Sequence, residues 1–199
     1  MSKTLWRSDD AAESWQIIYQ ATNNDNTHLH RVAVDPYTGH VWLTVGDGKN
    51  RKMLKSEDHG DSWQKIQSLQ STSVVFTKEV VYWGKDKKSK PGVIRYDRAS
   101  KKFKTIFKPQ QHGNYGGSIY DMLGLNSGDL IVPFKKYPDQ DHIASVWRLS
   151  EGEWSIFMQL DSNNKGAGFL RIAGPDKMDG SMFQVTSLKK AFNVLVSSK

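Results

Sequence analysis

The side chains able to do chemistry in this 199-residue chain gather in two kinds of segment. The first kind is basic. Lys49, Arg51 and Lys52 fall within residues 46–52. Lys85, Lys87, Lys88 and Lys90 fall within 85–92, and Lys135 and Lys136 within 135–142. The acids there are Asp47, Asp86, Asp139 and Asp141, so much of the chain's net charge of +7 lies in three short stretches. Clustered cations of this kind attract anionic ligands over about a Debye length, while isolated ones mainly aid solubility. The second kind carries amide, imidazole and phenol groups, which serve carbohydrate recognition, with aromatic faces to stack on sugar rings. One such segment is Asn23-Asn24-Asp25-Asn26-Thr27-His28, leading to His30 and Arg31. Another holds His112 and Tyr115, and a third is Asp161-Ser162-Asn163-Asn164.

Other chemistries find little support. His28 and His30 alone are too few ligands for zinc, so no metal site is expected. No glycine-rich phosphate cradle precedes a helix, and no Gly-x-Ser-x-Gly elbow appears. No cofactor is therefore expected. The lysine stretches leave nucleic acid a minor option, because no recognisable module accompanies them.

The elements that position these residues are short strands arranged in repeats. Ser56-Glu57-Asp58-His59-Gly60-Asp61-Ser62-Trp63 reads S-x-D-x-G-x-S-W. A second copy, Ser8-Asp9-Asp10-Ala11-Ala12-Glu13-Ser14-Trp15, lies 48 residues upstream with Ala12 in place of glycine. Asp and Ser side chains bond the backbone of tight turns, Gly permits positive φ, and Trp offers a large apolar face to bury beneath the turn. Leu5-Trp6-Arg7, Met53-Leu54-Lys55, Val93-Ile94-Arg95 and Val146-Trp147-Arg148 align as two apolar residues and a basic one. Each triplet precedes a turn and a large aromatic, Trp15, Trp63, Phe103 and Trp154 respectively. Repeats at intervals of 40 to 51 residues suit a propeller of four-stranded blades. Two strands at the N-terminus, twelve in three blades and three at the C-terminus make 17, one more than four blades and three fewer than five. The third blade is expected to begin with a strand over 118–125. No segment has a capped helical period, so the chain reads as all-β, a single propeller domain over 1–199 with about four to five blades, or a partial propeller.

The two eight-residue segments resemble the Asp-box, or bacterial neuraminidase repeat, of sialidases, sortilin-type receptors and photosystem assembly factors. The resemblance implies that each box is the turn between the third and fourth strands of a blade, on the face away from the ligand. Ser8, Asp10, Ser14, Trp15, Ser56, Asp58, Gly60, Ser62 and Trp63 are then structural. It also implies that the loops before first and third strands share the binding face. That face would hold Lys49, Arg51, Lys85, Lys87, Lys88, Lys135 and Lys136, with His28, His30, Arg31, His112, Tyr115 and Arg171 near the inner strands. Arg31 and Arg171 would suit bidentate carboxylate recognition. Sialidases also use an Arg-Ile-Pro motif near the N-terminus. Residues 169–175 echo it loosely and at the wrong end of the chain, and no pair of carboxyl groups suited to glycoside hydrolysis stands out. The expectation is a non-catalytic binding module that engages an acidic glycan or an acidic protein surface. The alternatives are a sialidase-like glycoside hydrolase and an assembly or scaffold protein.

Composition adds broad bounds. The chain has no cysteine, hence no disulfide, which fits a reducing compartment. No N-terminal signal-like stretch and no membrane-spanning apolar run is evident, so a cytoplasmic protein without membrane insertion is expected. Exposed strand edges in a partial ring would favour a homo-oligomer or a larger assembly.

Overall fold

The computed structural model describes residues 2–22, 28–137, 139 and 141–159, together with the backbone of Arg171–Ala173, Ser181–Thr186 and Ala191–Val196. The expected amide-rich segments 23–27 and 161–166 and the side chain of Arg171 lie outside the described residues. The chain divides into two compact units, Met1–Ser71 and Thr72–Lys199.

The first unit holds a two-stranded sheet, β1 (Thr4–Arg7) with β2 (Gln16–Gln20), and a four-stranded meander. The meander runs β3 (Leu29–Val34), β4 (Val41–Val45), β5 (Lys52–Ser56) and β6 (Gln64–Gln67). β7 (Ser71–Phe76) starts on the last residue of this unit. With β8 (Val80–Lys85), β9 (Val93–Asp97) and β10 (Lys102–Phe107) it makes the next meander. A further sheet contains β11 (Leu123–Gly124), β12 (Leu130–Phe134), β13 (Ser145–Ser150) and β14 (Glu153–Gln159). The last is β15 (Arg171–Ala173), β16 (Ser181–Thr186) and β17 (Ala191–Val196). The described residues are thus all-β, in sheets of two, four, four, four and three strands. Among the described residues two short 3-10 turns, Gly48–Asn50 and Pro109–His112, interrupt the strands. Among the described residues no helix is long and apolar enough to cross a membrane.

The sheets repeat in detail as well as in outline. β1–β2, β5–β6, β9–β10 and β13–β14 each carry one register shift. It falls at Leu5/Trp6, Met53/Leu54, opposite Val93/Ile94, and at Val146/Trp147, the aligned step of the sequence repeat. The unpaired residue on the opposite strand is apolar every time: Ile18, Ile66, Ile106 and Phe157. A bulge of this kind bends the strand and leaves one residue outside the ladder. The basic residue after the shift meets an acid in each sheet. Arg7 pairs with Asp9 and Asp61, Lys55 with Glu57, Arg95 with Asp97, and Arg148 with Asp129.

Both boxes, the full one at 56–63 and the one with Ala12 at 8–15, form the same turn. Asp58 accepts hydrogen bonds from the Ser62 amide (2.9 Å) and hydroxyl (2.5 Å), and Ser56 Oγ accepts from the Gly60 amide at 2.7 Å. Asp10 repeats the pattern with Ser14 (2.8 and 2.5 Å), and Ser8 Oγ accepts from the Ala12 amide at 2.8 Å. Gly60 adopts φ +104°, and Ala12 takes the same left-handed region at +74°. The bonds from Ser62, then from Ser56, hold Asp58 at a pKa of about 2, and those from Ser14, then Ser8, hold Asp10 at the same value.

The two boxes differ in burial. Trp63 is half-buried, donates Nε1–H to the Ile18 carbonyl at 2.8 Å and meets Tyr19 edge-on at 5.8 Å. It packs against the Ala21, Leu43, Val45 and Leu54 core of the first unit. Trp15 does not bury its face as the repeat implied. It is 57% exposed, alongside exposed Trp6 and Ile17 on the same hairpin. The motif shapes the turn by itself, whereas burying its tryptophan needs a neighbouring strand pair, which Trp63 finds in β1–β2.

The second unit is built around Phe107, which stacks on Trp154 at 4.2 Å and packs on Trp147 at 4.8 Å and Phe134 at 5.8 Å. Val93, Ile119, Leu130 and Val132 complete this core. The decayed boxes keep turn chemistry only. Ser100 donates its amide (2.9 Å) and hydroxyl (2.7 Å) to Asp97, and Glu151 and Gly152 both turn through positive φ. The strand expected over 118–125 is a correction: only Leu123–Gly124 is extended in a ladder. Pro133 in β12 lacks an N–H, and β11 pairs only with Leu130 and Ile131. The preceding backbone bonds elsewhere, with Ile119 donating to the Lys85 carbonyl and Ser118 accepting from the Lys135 amide.

Two outcomes test this account. A Cβ at Gly60 would lie 2.5 Å from Ile18 Cδ1 on a left-handed backbone, so Gly60→Ala should cost about 1–3 kcal/mol in urea denaturation. The folded pKa of Asp10 and Asp58 is lowered from 3.8, so their stabilisation is full above that value and is lost as pH falls through about 2. The Asp10→Asn/Asp58→Asn variant should therefore show a shallower loss of urea stability between pH 4 and pH 2 than the parent protein. An unchanged slope would contradict the proposed turn chemistry.

Candidate functional site

The end of β8 and the segment after β12 in the second unit bring lysines and tyrosines together. Lys85 closes β8, donating its amide to the Gly92 carbonyl while its own carbonyl accepts from Ile119. Lys135 follows β12, tied to Ser118 through its amide and to His142 Nε2 through its carbonyl at 3.0 Å. Gly117 makes this approach feasible. A Cβ there would lie 1.5 Å from the Lys135 carbonyl oxygen, and its φ is +105°. Gly117 and Ser118 therefore lie directly against the Lys135 backbone, while Ile119 bonds Lys85.

This backbone gathers a compact polar cluster. Lys135 is 8% exposed, and its ammonium lies 4.4 Å from the Tyr137 ring centre and 5.1 Å from that of Tyr120. Lys88 reaches the Tyr137 ring at 5.3 Å and pairs with Asp139. The Tyr137 hydroxyl lies 2.7 Å from Ser118 Oγ and 3.4 Å from the Tyr120 hydroxyl. Cations over ring faces are held by the ring quadrupole, most strongly when desolvated. Lys85, bonded to Thr105 Oγ1 at 3.2 Å, has its pKa lowered first by burial and then by repulsion from Lys108, Lys87 and Lys90. An anion in this surrounding would offset both effects. The Asp139 pKa is lowered, chiefly by its hydrogen bond from Lys88.

The residues expected from sequence divide into several groups. Lys85, Lys88 and Lys135 carry this cluster or flank it, with Lys136 half-buried and Lys87 exposed beside it in the chain. His112 and Tyr115 serve the aromatic core instead. His112 stacks on Phe107 at 5.0 Å, and Tyr115 meets Trp147 edge-on at 5.3 Å while accepting from Gln159. In the first unit Arg51 braces its own loop, donating to the carbonyls of Gly48 and Ser68. Lys49 and Arg31 are exposed there. His28 and His30 sit with their rings 4.3 Å apart and face Asp47. Sequence reasoning missed Tyr120, Tyr137, Ser118 and the grouping of Asp47 with the two histidines. The Lys-Lys-Tyr run at 135–137 was the available signal for Tyr137.

No protein-family model matches the sequence, and no curated protein shows significant similarity to it. Solved structures do resemble it. A chain of a nidogen/laminin complex aligns with TM-score 0.65 and 12% identity, over 97% of this chain and 68% of that one. A luciferin-regenerating enzyme aligns with TM-score 0.63 and 13% identity, over 94% and 64%. TolB from Acinetobacter baumannii aligns with TM-score 0.58 and 11% identity, over 98% and 49%. The chain thus spans between half and about two thirds of the length of these β-propeller-like proteins. At such identities the likeness establishes the fold, and that fold is of the β-propeller type.

Proposed function

We propose that this chain is a non-catalytic binding module of the Asp-box propeller type, and that its ligand is an acidic glycan held at the lysine–tyrosine cluster of the second unit. The observation that carries the reading is the buried Lys135 ammonium poised over Tyr120 and Tyr137 beside three hydroxyl groups. A sugar carboxylate or sulfate needs a fixed cation, and its hydroxyls need donors and acceptors within the same few ångströms. Positions 85–92 and 135–142 add lysines that would draw such a ligand in by long-range attraction. The two matching S-x-D-x-[GA]-x-S-W turns, with their common hydrogen bonds, support the Asp-box assignment. Fold alone does not choose a function, since the similar structures include an enzyme and a protein complex. The nidogen/laminin neighbour favours a second reading, an acidic protein surface on the same lysines.

A screen of the pure protein on acidic and neutral glycans at physiological salt tests the proposal. Acidic sugars alone should bind, with affinity falling as salt rises. Lys135→Met should weaken binding at least tenfold, roughly the worth of one charge-assisted hydrogen bond. Replacing the outer Lys87 and Lys88 with alanine should mainly flatten the salt dependence. A blank array would end the glycan reading in favour of an acidic protein partner, and unchanged affinity in both variants would remove the cluster from consideration.

A further inference from the structure

The first unit contains a second constellation that the glycan reading does not use. β3 begins beside the turn that ends β4: Leu29 pairs with Val45, and Gly46 donates its amide to the His28 carbonyl at 2.8 Å. His28 and His30 are two residues apart at the start of β3, so strand alternation carries both rings to one face, where their centres lie 4.3 Å apart beside the register shift between Leu29 and Arg31. Asp47, 17 residues after His30, opens the short turn Gly48–Asn50 and directs its carboxylate at both rings. His28 Nδ1 lies 3.7 Å from Asp47 Oδ2, and His30 Nε2 lies 3.1 Å from Asp47 Oδ1. All three ligand atoms fall within 4.8 Å of one another.

We propose that His28, His30 and Asp47 bind a divalent transition-metal ion of the Zn2+ class. Two ligands about 2.0–2.1 Å from a tetrahedral zinc are about 3.3 Å apart; His30 Nε2 lies 3.1 Å from Asp47 Oδ1, close to that value, and His28 Nδ1 lies 3.7 Å from the other oxygen, Oδ2. Two imidazoles with one carboxylate suit Zn2+ or Co2+, whereas Mg2+ and Ca2+ prefer all-oxygen shells. The site is built rather than incidental. The His30 side chain is 7% exposed and that of His28 17%, while Gln70 donates to Asp47 Oδ1 at 2.6 Å and fixes the carboxylate. Such outer partners orient metal ligands and sharpen affinity. Asp47 remains 38% exposed, which leaves room for a water or a ligand atom at the fourth position. Binding would clamp the start of β3 to the β4–β5 connection. The competing account is a self-contained His–Asp hydrogen-bonded cluster.

Titration of the whole chain with Zn2+, and with Co2+ followed by visible absorption, separates the two. The proposal expects one equivalent of metal, a Co2+ spectrum typical of four or five ligands, and a rise in melting temperature with Zn2+ that a chelator reverses. Asp47→Asn keeps an acceptor for Gln70, and His28→Ala changes the more exposed histidine. Each should lower affinity by ~100-fold or more while circular dichroism stays native. His40→Ala is the control and should leave binding unchanged. An absence of Zn2+ binding by the parent protein at ~100 μM would overturn the proposal. Equal affinity in parent and variants would do the same, because the metal would then be held by other histidines.

Discussion

The first unit depends on how closely one turn can approach the bulge of another strand pair. Ile18 is the extra residue in β2, so its carbonyl lies outside the β1–β2 ladder and accepts from the Trp63 indole. Its side chain then fills the space above Gly60, where no Cβ fits. The Asp58 and Ser56 bonds hold the 56–63 turn in the shape that brings glycine and tryptophan to the same residue. Turn, bulge and core contact are therefore one linked arrangement. Arg7 reinforces it by donating to the His59 carbonyl at 2.9 Å and pairing with Asp61 at 2.8 Å.

The same logic explains why boxes decay in the second unit without loss of the sheet pattern. There the bulges at Ile106 and Phe157 persist, with Ile106 packed against the aromatic core and Phe157 against Leu123, Leu125, Ile131, Ala144 and Val146. Phe107, Trp147 and Trp154 supply a large apolar area that does not require a glycine at one fixed point. A turn such as 97–100 then needs only Asp97 and Ser100 to satisfy its amides. Burying a carboxylate elsewhere calls for full compensation. Burial opposes the charge of Asp129, but hydrogen bonds from Ser150, Arg148 and Ser127 outweigh it, and its pKa is lowered.

Chemistry collects where the strands end. Lys85 and Lys135 stand at strand termini whose backbone is fixed by neighbouring bonds, so their side chains start from rigid positions. Rigid placement lowers the conformational entropy that a side chain would lose on holding a ligand. Lys49, exposed on a short 3-10 turn, and Lys85, half-buried and bonded to Thr105, show the contrast within one composition class.

Much of the architecture was legible in the residues. Strand period, turn chemistry and the spacing of Trp15, Trp63, Phe103 and Trp154 specified an all-β propeller pattern of two, twelve and three strands, because turns and alternation are local properties. The site was legible only in part. Lysine-rich loops could be read as a class, but Tyr120, Tyr137 and Ser118 meet Lys135 through the close approach of the Gly117 backbone to Lys135, which the sequence order does not reveal. Likewise Asp47 joins His28 and His30 through strand pairing across 17 residues. By itself the sequence determined the repeat, the turns and the sign of the charge. Tertiary structure decided which tryptophan is covered, which histidines and tyrosines serve a core, and which charges converge, since those outcomes depend on contacts between segments far apart in the chain.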